Sequence, residues 1–417
     1  MSLTLDILEI GGRGDGIAEL DGRRYFVPFT LPAETVEAEP RDKRGDGIAC
    51  DLIEVLAPSR HREVPPCRHF GVCGGCALQH WRRDIYTSWK VDLIARALSQ
   101  HGVAAPSFEP PLVGEPGERR RADIVLRRQG KRVLAGFHER ASQRIVDVGT
   151  CVVLRPALDA AIEVLRGAMA GILPDGAAAD AIANETDNGL DVLIRPHKRL
   201  KLSLEMREAL VALAERADFA RVSWGDRAAP EPVVMRRTPL LVLGDTTVEP
   251  PPGAFLQATK RAELVMRAAV TAWLDGAKRI VDLFAGIGAL SLGRPAKLSL
   301  FESDKAAVAA VDAAARKIGG NRVVSERRDL FRNALTVSEL DRFDGLVLDP
   351  PRAGAAAQCA ELARSRIGRV VYGSCDPGSF ARDVRTLQEG GYRLEKLMPI
   401  DQFLWSSHVE LVAFLKK

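Results

Sequence analysis

The 417-residue chain reads as an α/β protein with a doubly wound parallel sheet in its last third, a small β-barrel at its start and an α+β region between. Three observations predict this. Beyond residue 278, apolar strands alternate with helical stretches, the pattern of a parallel sheet covered on both faces. Residues 1–57 instead break into short apolar runs between dense glycine turns, as small barrels do. The residues between mix strands and helices without regular alternation. Charged residues make up 27% of the chain, and no apolar stretch approaches the ~20 residues that a membrane span needs. The opening MSLTLDILEIGGRGDG carries acids where a secretory signal needs a basic end and an apolar run, so a cytoplasmic location is expected.

Taken in order, LTLDILEI, IAEL, DGRRYFVPFTLP, ETVEAEP and IACDLIEVL supply the barrel strands, with GGRGDG and KRGDG as turns. The proline-rich APSRHREVPP is a linker. DIYTSWKVDLIARALSQHG (84–102) carries a helical apolar stripe through Ile85, Trp89, Leu93 and Ala97 and stops at Gly102. From 119 to 245, ADIVLRR, RVLAGFHE, LDVLIRP and PLLVLG read as strands, and ALDAAIEVLRGAMAGIL and LEMREALVALAERA as helices. The parallel sheet is built from RIVDLF, KLSLFE, RVVSER, FDGLVLD and RVVYGS. Three units are expected: 1–57, 58–245 and 246–417.

Net charge is only +4, but it is segregated. Between Arg60 and Arg144, 16 Lys and Arg face 8 Asp and Glu, which leaves the rest of the chain slightly acidic. A basic surface of this kind suits a polyanion, because each neutralised phosphate releases counterions, although a solvated basic face gives the same count. The seven cysteines are as uneven. Cys67, Cys73 and Cys76 cluster, Cys151 follows, and Cys50, Cys359 and Cys375 stand apart; in a reducing compartment such a cluster suggests metal before disulfide.

IVDLFAGIGALSL runs a strand into Gly286-x-Gly288 and then, by its pattern, into a helix, and Glu302 ends the next strand. That layout grips a nucleoside: glycines admit the backbone and the carboxylate takes the ribose hydroxyls. Ser291 stands where the dinucleotide fingerprint has its third glycine, so a nucleoside without phosphates, such as S-adenosylmethionine, fits better than a pyrophosphate. Asp329, Asp349 and Cys375 fall at the ends of the following strands, on the edge where such sheets bind ligands.

Together these segments resemble the RNA uracil-5-methyltransferases that carry an iron–sulfur cluster, over nearly the whole length. Residues 1–57 resemble the oligonucleotide-binding (OB-like) TRAM barrel, and Cys67-x5-Cys73-Gly-Gly-Cys76 with Cys151 the four-cysteine site of a central iron–sulfur domain. FLQAT, DLFAGIG, DPPRAG, SCDP and His-Val-Glu resemble the motifs of a Rossmann-like methyltransferase domain. The resemblance implies that Gln257, Phe284, Ala289, Glu302, Asp329 and Asp349 line the S-adenosylmethionine site. It makes Cys375 the nucleophile that adds to uracil C6, its pKa expected to be lowered by its surroundings, and Glu410 the base that removes the C5 proton. Thr259 and Asp376 stand where the family usually has Asn. Four thiolates suit zinc or iron–sulfur; the spacing and the resemblance together favour a [4Fe–4S] cluster on Cys67, Cys73, Cys76 and Cys151. Phe70, Trp81 and Tyr86 beside it are expected to pack rather than stack on bases.

The partner implied is structured RNA, ribosomal before transfer RNA, met by a monomer. Two other readings compete. An exocyclic-nitrogen methyltransferase would use Asp349-Pro-Pro and need no thiol, and a non-catalytic RNA-binding metalloprotein would turn nothing over.

Overall fold

The computed structural model describes residues 1–226 and 228–417. Strands β1 (Leu3–Asp6), β2 (Glu9–Ile10), β3 (Gly16–Leu20), β4 (Arg23–Val27), β5 (Thr35–Arg44) and β6 (Gly47–Ala57) make one sheet, ordered β1-β5-β6-β4-β3-β2. Alternating residues such as Leu5, Tyr25, Val27, Val36 and Ala38 bury one face. The sheet is not the closed barrel expected: β1 and β2 stay at its two edges and do not pair with each other among the described residues. Closure needs edge strands long enough to hold a ladder, and β2 has two residues.

Helix α1 (Arg83–Gln100) buries Tyr86, Trp89, Lys90, Ile94, Ala97 and Leu98, a face rotated from the expected stripe. It is wedged between two bodies. Tyr86 and Trp89 pack on Trp81, Leu404 and Trp405, while Ile94, Ala97 and Leu98 enter the core of the C-terminal sheet. Two-sided burial blurs a single apolar stripe.

The middle of the chain folds as β7 (Arg121–Gln129), β8 (Arg132–His138), β9 (Ile145–Asp147), α2 (Pro156–Ile172), β10 (Ala178–Thr186), β11 (Gly189–Pro196), α3 (Leu204–Arg216), β12 (Arg221–Trp224) and β13 (Glu231–Met235). Its sheet runs β13-β12-β11-β10-β7-β8-β9. Ile124 and Leu126 of β7 pack with Leu158, Ile162 and Leu165 of α2, so the alternate residues 121, 123, 125 and 127 face the other way. The alanine-rich β10 escapes sequence reading because its propensity is low; pairing on both sides makes it a strand. The hairpin β14 (Leu241–Leu243) and β15 (Thr246–Val248) spans the expected boundary at 245 and buries Leu241, Leu243 and Val248 in the C-terminal core.

The remainder is α4 (Lys260–Trp273), β16 (Arg279–Leu283), β17 (Lys297–Glu302), α5 (Lys305–Ile318), β18 (Val323–Arg327), α6 (Val337–Leu340), β19 (Gly345–Leu348), α7 (Ala356–Arg364), β20 (Arg369–Ser374), α8 (Pro377–Glu389), β21 (Arg393–Ile400) and β22 (Glu410–Lys416). All five expected strands are present in a sheet ordered β18-β17-β16-β19-β20-β22-β21. The first five are parallel, and β22 inserts antiparallel between β20 and β21. Strand order reverses at β16, which opens a crevice there. The helix expected after Gly288 is replaced by successive turns. Gly288 and Gly293 sit at φ 77°, and a Cβ on Gly288 would come within 2.5 Å of Leu292, so the backbone leaves helical space twice before Pro295 ends the run. No helix among the described residues is long and apolar enough to cross a membrane.

Candidate active site

The parallel strands deliver their C-terminal ends to one edge. β20 ends at Ser374, so Cys375 is the first residue past it, and β22 begins at Glu410. The antiparallel register pairs Gly373 with Val412 and Ser374 with Leu411. One further step sets Cys375 opposite Glu410. Asp349 follows β19, next to the same ladder: a Cβ on Gly373 would lie 2.8 Å from its Oδ1, so only glycine leaves room for this carboxylate. Glu410 is not an edge-strand surface residue; it is 4% exposed.

Two glutamines tie these groups together. Gln402 Nε2 donates to Glu410 Oε2 and to Gln257 Oε1, both at 2.8 Å, and its Oε1 accepts from the Ala258 N–H at 2.8 Å. Gln257 Nε2 donates to Asp349 Oδ2 at 3.2 Å. Gln402 was not anticipated. Nothing local marks it, and its only signal is its place just beyond the C-terminal end of β21. The loop that carries it is anchored from outside: the buried Lys90 of α1 donates to Asp401, to the Phe403 carbonyl at 3.1 Å and to the His408 carbonyl at 2.7 Å. Arg120 holds the Gln257 segment through the Gln257 carbonyl at 3.0 Å and the buried Glu263.

The charges are one-sided. Burial pushes Glu410 up to about 8, with Asp349 adding to the rise and Gln402 and Arg352 opposing it. Burial likewise lifts Asp349 to about 6 against the Gln257 hydrogen bond, and Asp282 to about 7. Cys375 goes up as well, to about 11, through burial and then the charges of Glu410 and Asp349; Arg352 pulls the other way. The expected lowered thiol pKa is therefore corrected. Without ligands, acidic neighbours outnumber the single guanidinium, and the thiol keeps its proton.

At the switch point, Phe284 leaves β16 at φ 59° and Gly286 follows at φ 55°. Glu302 Oε2 accepts the Gly286 N–H at 2.9 Å, which fixes the turn against the end of β17. The Phe284 and Phe331 rings lie 5.2 Å apart, and Phe331 is 52% exposed. Asp329 accepts the Phe331 N–H at 3.0 Å. Ala289 lies in the same turn, with its carbonyl bound by Arg267. A carboxylate at the second strand end, an open aromatic ring and a surplus of acidic groups fit a cationic nucleoside.

Both departures from the family pattern are helix caps. Thr259 Oγ1 accepts the Ala262 N–H at the start of α4, and Asp376 Oδ1 accepts the Ser379 N–H at the start of α8. Thr, Asp and Asn all serve at this position.

Cys67, Cys73, Cys76 and Cys151 line one cavity of about 260 Å³, shared with Arg119, Phe255 and Phe403. Burial, with the charges of the other three thiols adding to it, drives Cys76 up to about 12, so the four are close enough to feel one another. Among the described residues, no group of three or more His, Cys, Asp or Glu is set to hold a metal ion. Trp81 and Tyr86 are core residues, at 4% and 0% exposed.

A profile described as tRNA (uracil-5-)-methyltransferase matches residues 320–417, the part that carries Asp329, Asp349, Cys375 and Glu410. An RNA methyltransferase of Brucella suis is 43% identical over 416 residues, 99% of this chain and 97% of its own. The 23S rRNA (uracil(1939)-C(5))-methyltransferase RlmD of Chromohalobacter salexigens is 33% identical over 99% of this chain and 89% of its own. Among solved structures, the Pyrococcus abyssi tRNA (uracil-54, C5)-methyltransferase in complex with S-adenosyl-L-homocysteine shares the fold, with TM-score 0.77, 24% identity and 99% of each chain covered. With relatives this similar aligned over its whole length, the chain belongs to the RNA (uracil-5-)-methyltransferase family and is an S-adenosylmethionine-dependent RNA methyltransferase.

Proposed function

We propose that the enzyme methylates C5 of a uridine in structured RNA through a covalent bond between Cys375 and uracil C6. The observation that carries this reading is the thiol–carboxylate pair facing across the end of the β20–β22 ladder, with Asp349 beside it. C5 of uracil is too weakly nucleophilic to be methylated directly. Addition of the Cys375 thiolate to C6 makes the ring an enolate, nucleophilic at C5. S-adenosylmethionine, when bound, supplies an electrophilic methyl group and a positive charge. Glu410, as carboxylate, takes the C5 proton, and the C6–S bond then breaks to restore the double bond and free the thiolate. A site crowded with acids, as this one is, gains most from a cationic ligand, which lowers the pKa of every acid near it.

Gln257, Phe284, Ala289, Glu302, Asp329 and Asp349 are the residues assigned to the methyl donor. We assign Cys67, Cys73, Cys76 and Cys151 to a [4Fe–4S] cluster that ties the 67–76 loop to the middle sheet. A single zinc ion would draw four sulfurs to within about 3.8 Å of one another; thiols lining a cavity suit a larger centre. The segments 1–57, 58–245 and 246–417 act in this reading as RNA grip, cluster unit and catalytic unit. Ribosomal RNA is the favoured target, because the 33% identical relative named for a substrate is a 23S rRNA enzyme.

The test is a mixture of protein, S-adenosylmethionine and RNA containing 5-fluorouridine. Fluorine at C5 blocks proton removal, so a denaturant-stable protein–RNA band should accumulate and vanish in Cys375→Ala. Methyl transfer to unmodified RNA with no such band would sink the thiol mechanism in favour of nitrogen methylation.

A further inference from the structure

The open face of the middle sheet carries two concavities. Along β7, Arg121 and Asp123 line the cavity beside the cysteines, while Val125 and Arg127 line a separate groove of about 600 Å³. Beyond the cysteine cavity, the groove at Val125 and Arg127 is a trough of its own. From Arg121 to Arg127 the strand itself runs six residues, about 20 Å. At its near end Phe255 is 61% exposed, with the Arg121 guanidinium 5.1 Å over its ring. At its far end the β11–α3 loop, HKRLK (197–201), adds Lys198, Arg199 and Leu200 to the groove wall, and Lys201 follows just outside it.

The charge at the far end is unspent. Arg127, Lys198, Arg199 and Lys201 are exposed and have neither an ion pair nor a side-chain hydrogen bond among the described residues. The nearby acids are committed elsewhere. Asp180 takes Arg195 at 2.6 Å and His197 at 2.8 Å, and Asp175 accepts the Gly130 N–H at 2.6 Å. Arg236 and Arg237, by contrast, are both neutralised in place by Asp218. Leaving four cations unpaired at one end of a trough costs self-repulsion, which a polyanion would relieve.

We propose that this trough is a docking groove for the phosphate backbone of the RNA that flanks the reacting nucleotide, with Arg127, Lys198, Arg199 and Lys201 as its distal clamp. The proposal rests on the reading of the chain as an enzyme acting on RNA. Contacts to phosphates hold register without reading sequence, and each adds to the salt dependence of binding. The clamp therefore sets how RNA is presented and does not touch the reacting base.

The test compares the full-length protein with Lys198→Gln/Arg199→Gln/Lys201→Gln, and with Lys198→Arg/Lys201→Arg as a charge-preserving control. Binding of a 23S rRNA transcript and of a tRNA transcript pool is measured from 50 to 300 mM KCl, with KM and kcat for methyl transfer. The expected result is binding weaker by roughly ten- to a hundredfold near 0.15 M salt, with the slope of log affinity against log salt shallower by about 2. KM should rise while kcat moves little, and the Arg control should follow wild type. Equal affinity and slope in the triple Gln variant would overturn the clamp and leave the loop to another class of partner. If wild type binds RNA with the expected slope loss in the variant, yet forms no 5-methyluridine, the catalytic reading fails and the clamp stands. Wild type that binds neither RNA overturns both.

Discussion

Cys375 and Glu410 meet because each is the residue just beyond, or first in, a strand whose register is fixed by apolar neighbours. Tyr372, Leu411 and Ala413 pack into one core and Val371 and Val412 into the other, so slipping the ladder by one would send each set to the wrong face. The same burial that fixes the pair raises both pKa values. Alkylation of Cys375 in the ligand-free enzyme, followed by mass spectrometry of its peptide, should climb with pH towards about 11. Asp376 contributes a raising charge, so Asp376→Asn should move the midpoint down while keeping the cap on α8. A wild-type midpoint at or below the ordinary thiol value would show the electrostatic account to be wrong. The motif SCDP made Cys375 legible from sequence, and His-Val-Glu did the same for Glu410. Gln402 was not legible, because its value lies in bonds to Gln257 and Glu410, 145 and 8 positions away.

At the scale of elements, the reactive loop is held by a helix from a different part of the chain. Lys90 lies on the buried face of α1 and carries its charge to Asp401, one residue before Gln402. A lysine in a helical pattern reads as solvent-facing, so nothing local points to this pair. Lys90→Met should strand Asp401 in the interior and cost about 3–5 kcal/mol in urea unfolding. The same variant should lose methyl-transfer activity at temperatures where it remains folded, because Gln402 and Glu410 ride on that loop. Unchanged kcat in folded Lys90→Met protein would show that the anchor is dispensable. The strands of the C-terminal sheet were legible because parallel strands are nearly continuous apolar runs. The run after Gly288 reads as a short helix broken at Gly293-Arg294-Pro295; the structure has turns throughout, since Gly288 as well as Gly293 is left-handed.

At the scale of the molecule, three buried acids pull stability down as pH rises towards 8. Asp349, Asp282 and Glu410 titrate near 6, 7 and 8, against ordinary values of 3.8, 3.8 and 4.5. A raised folded pKa means that the native protein keeps protons the unfolded chain has lost. Their contribution is fully present below about pH 4 and is lost as pH rises through 6 to 8. The melting temperature of ligand-free protein should fall across that window, and Glu410→Gln should flatten the upper part of the fall. A flat wild-type profile would contradict the assignment. The cysteine cavity makes a second molecular prediction. Anaerobically purified protein should contain iron and acid-labile sulfide in equal amounts, and Cys76→Ser should lose both together with RNA binding; zinc without sulfide would overturn the cluster.

Periodicity alone established the parallel sheet, because burial on both faces leaves an apolar signature in every strand. The family was legible in short motifs of the C-terminal part, FLQAT, DLFAGIG, DPPRAG, SCDP and His-Val-Glu. Tertiary structure decided the rest. It left the N-terminal sheet open and rotated the buried face of α1. It turned an expected low thiol pKa into a high one, and it brought Gln402, Lys90 and the HKRLK loop into play. Each of these depends on what lies across a gap rather than along the chain. Burial, field and open charge are properties of neighbours in space, and one sequence read in order does not contain them.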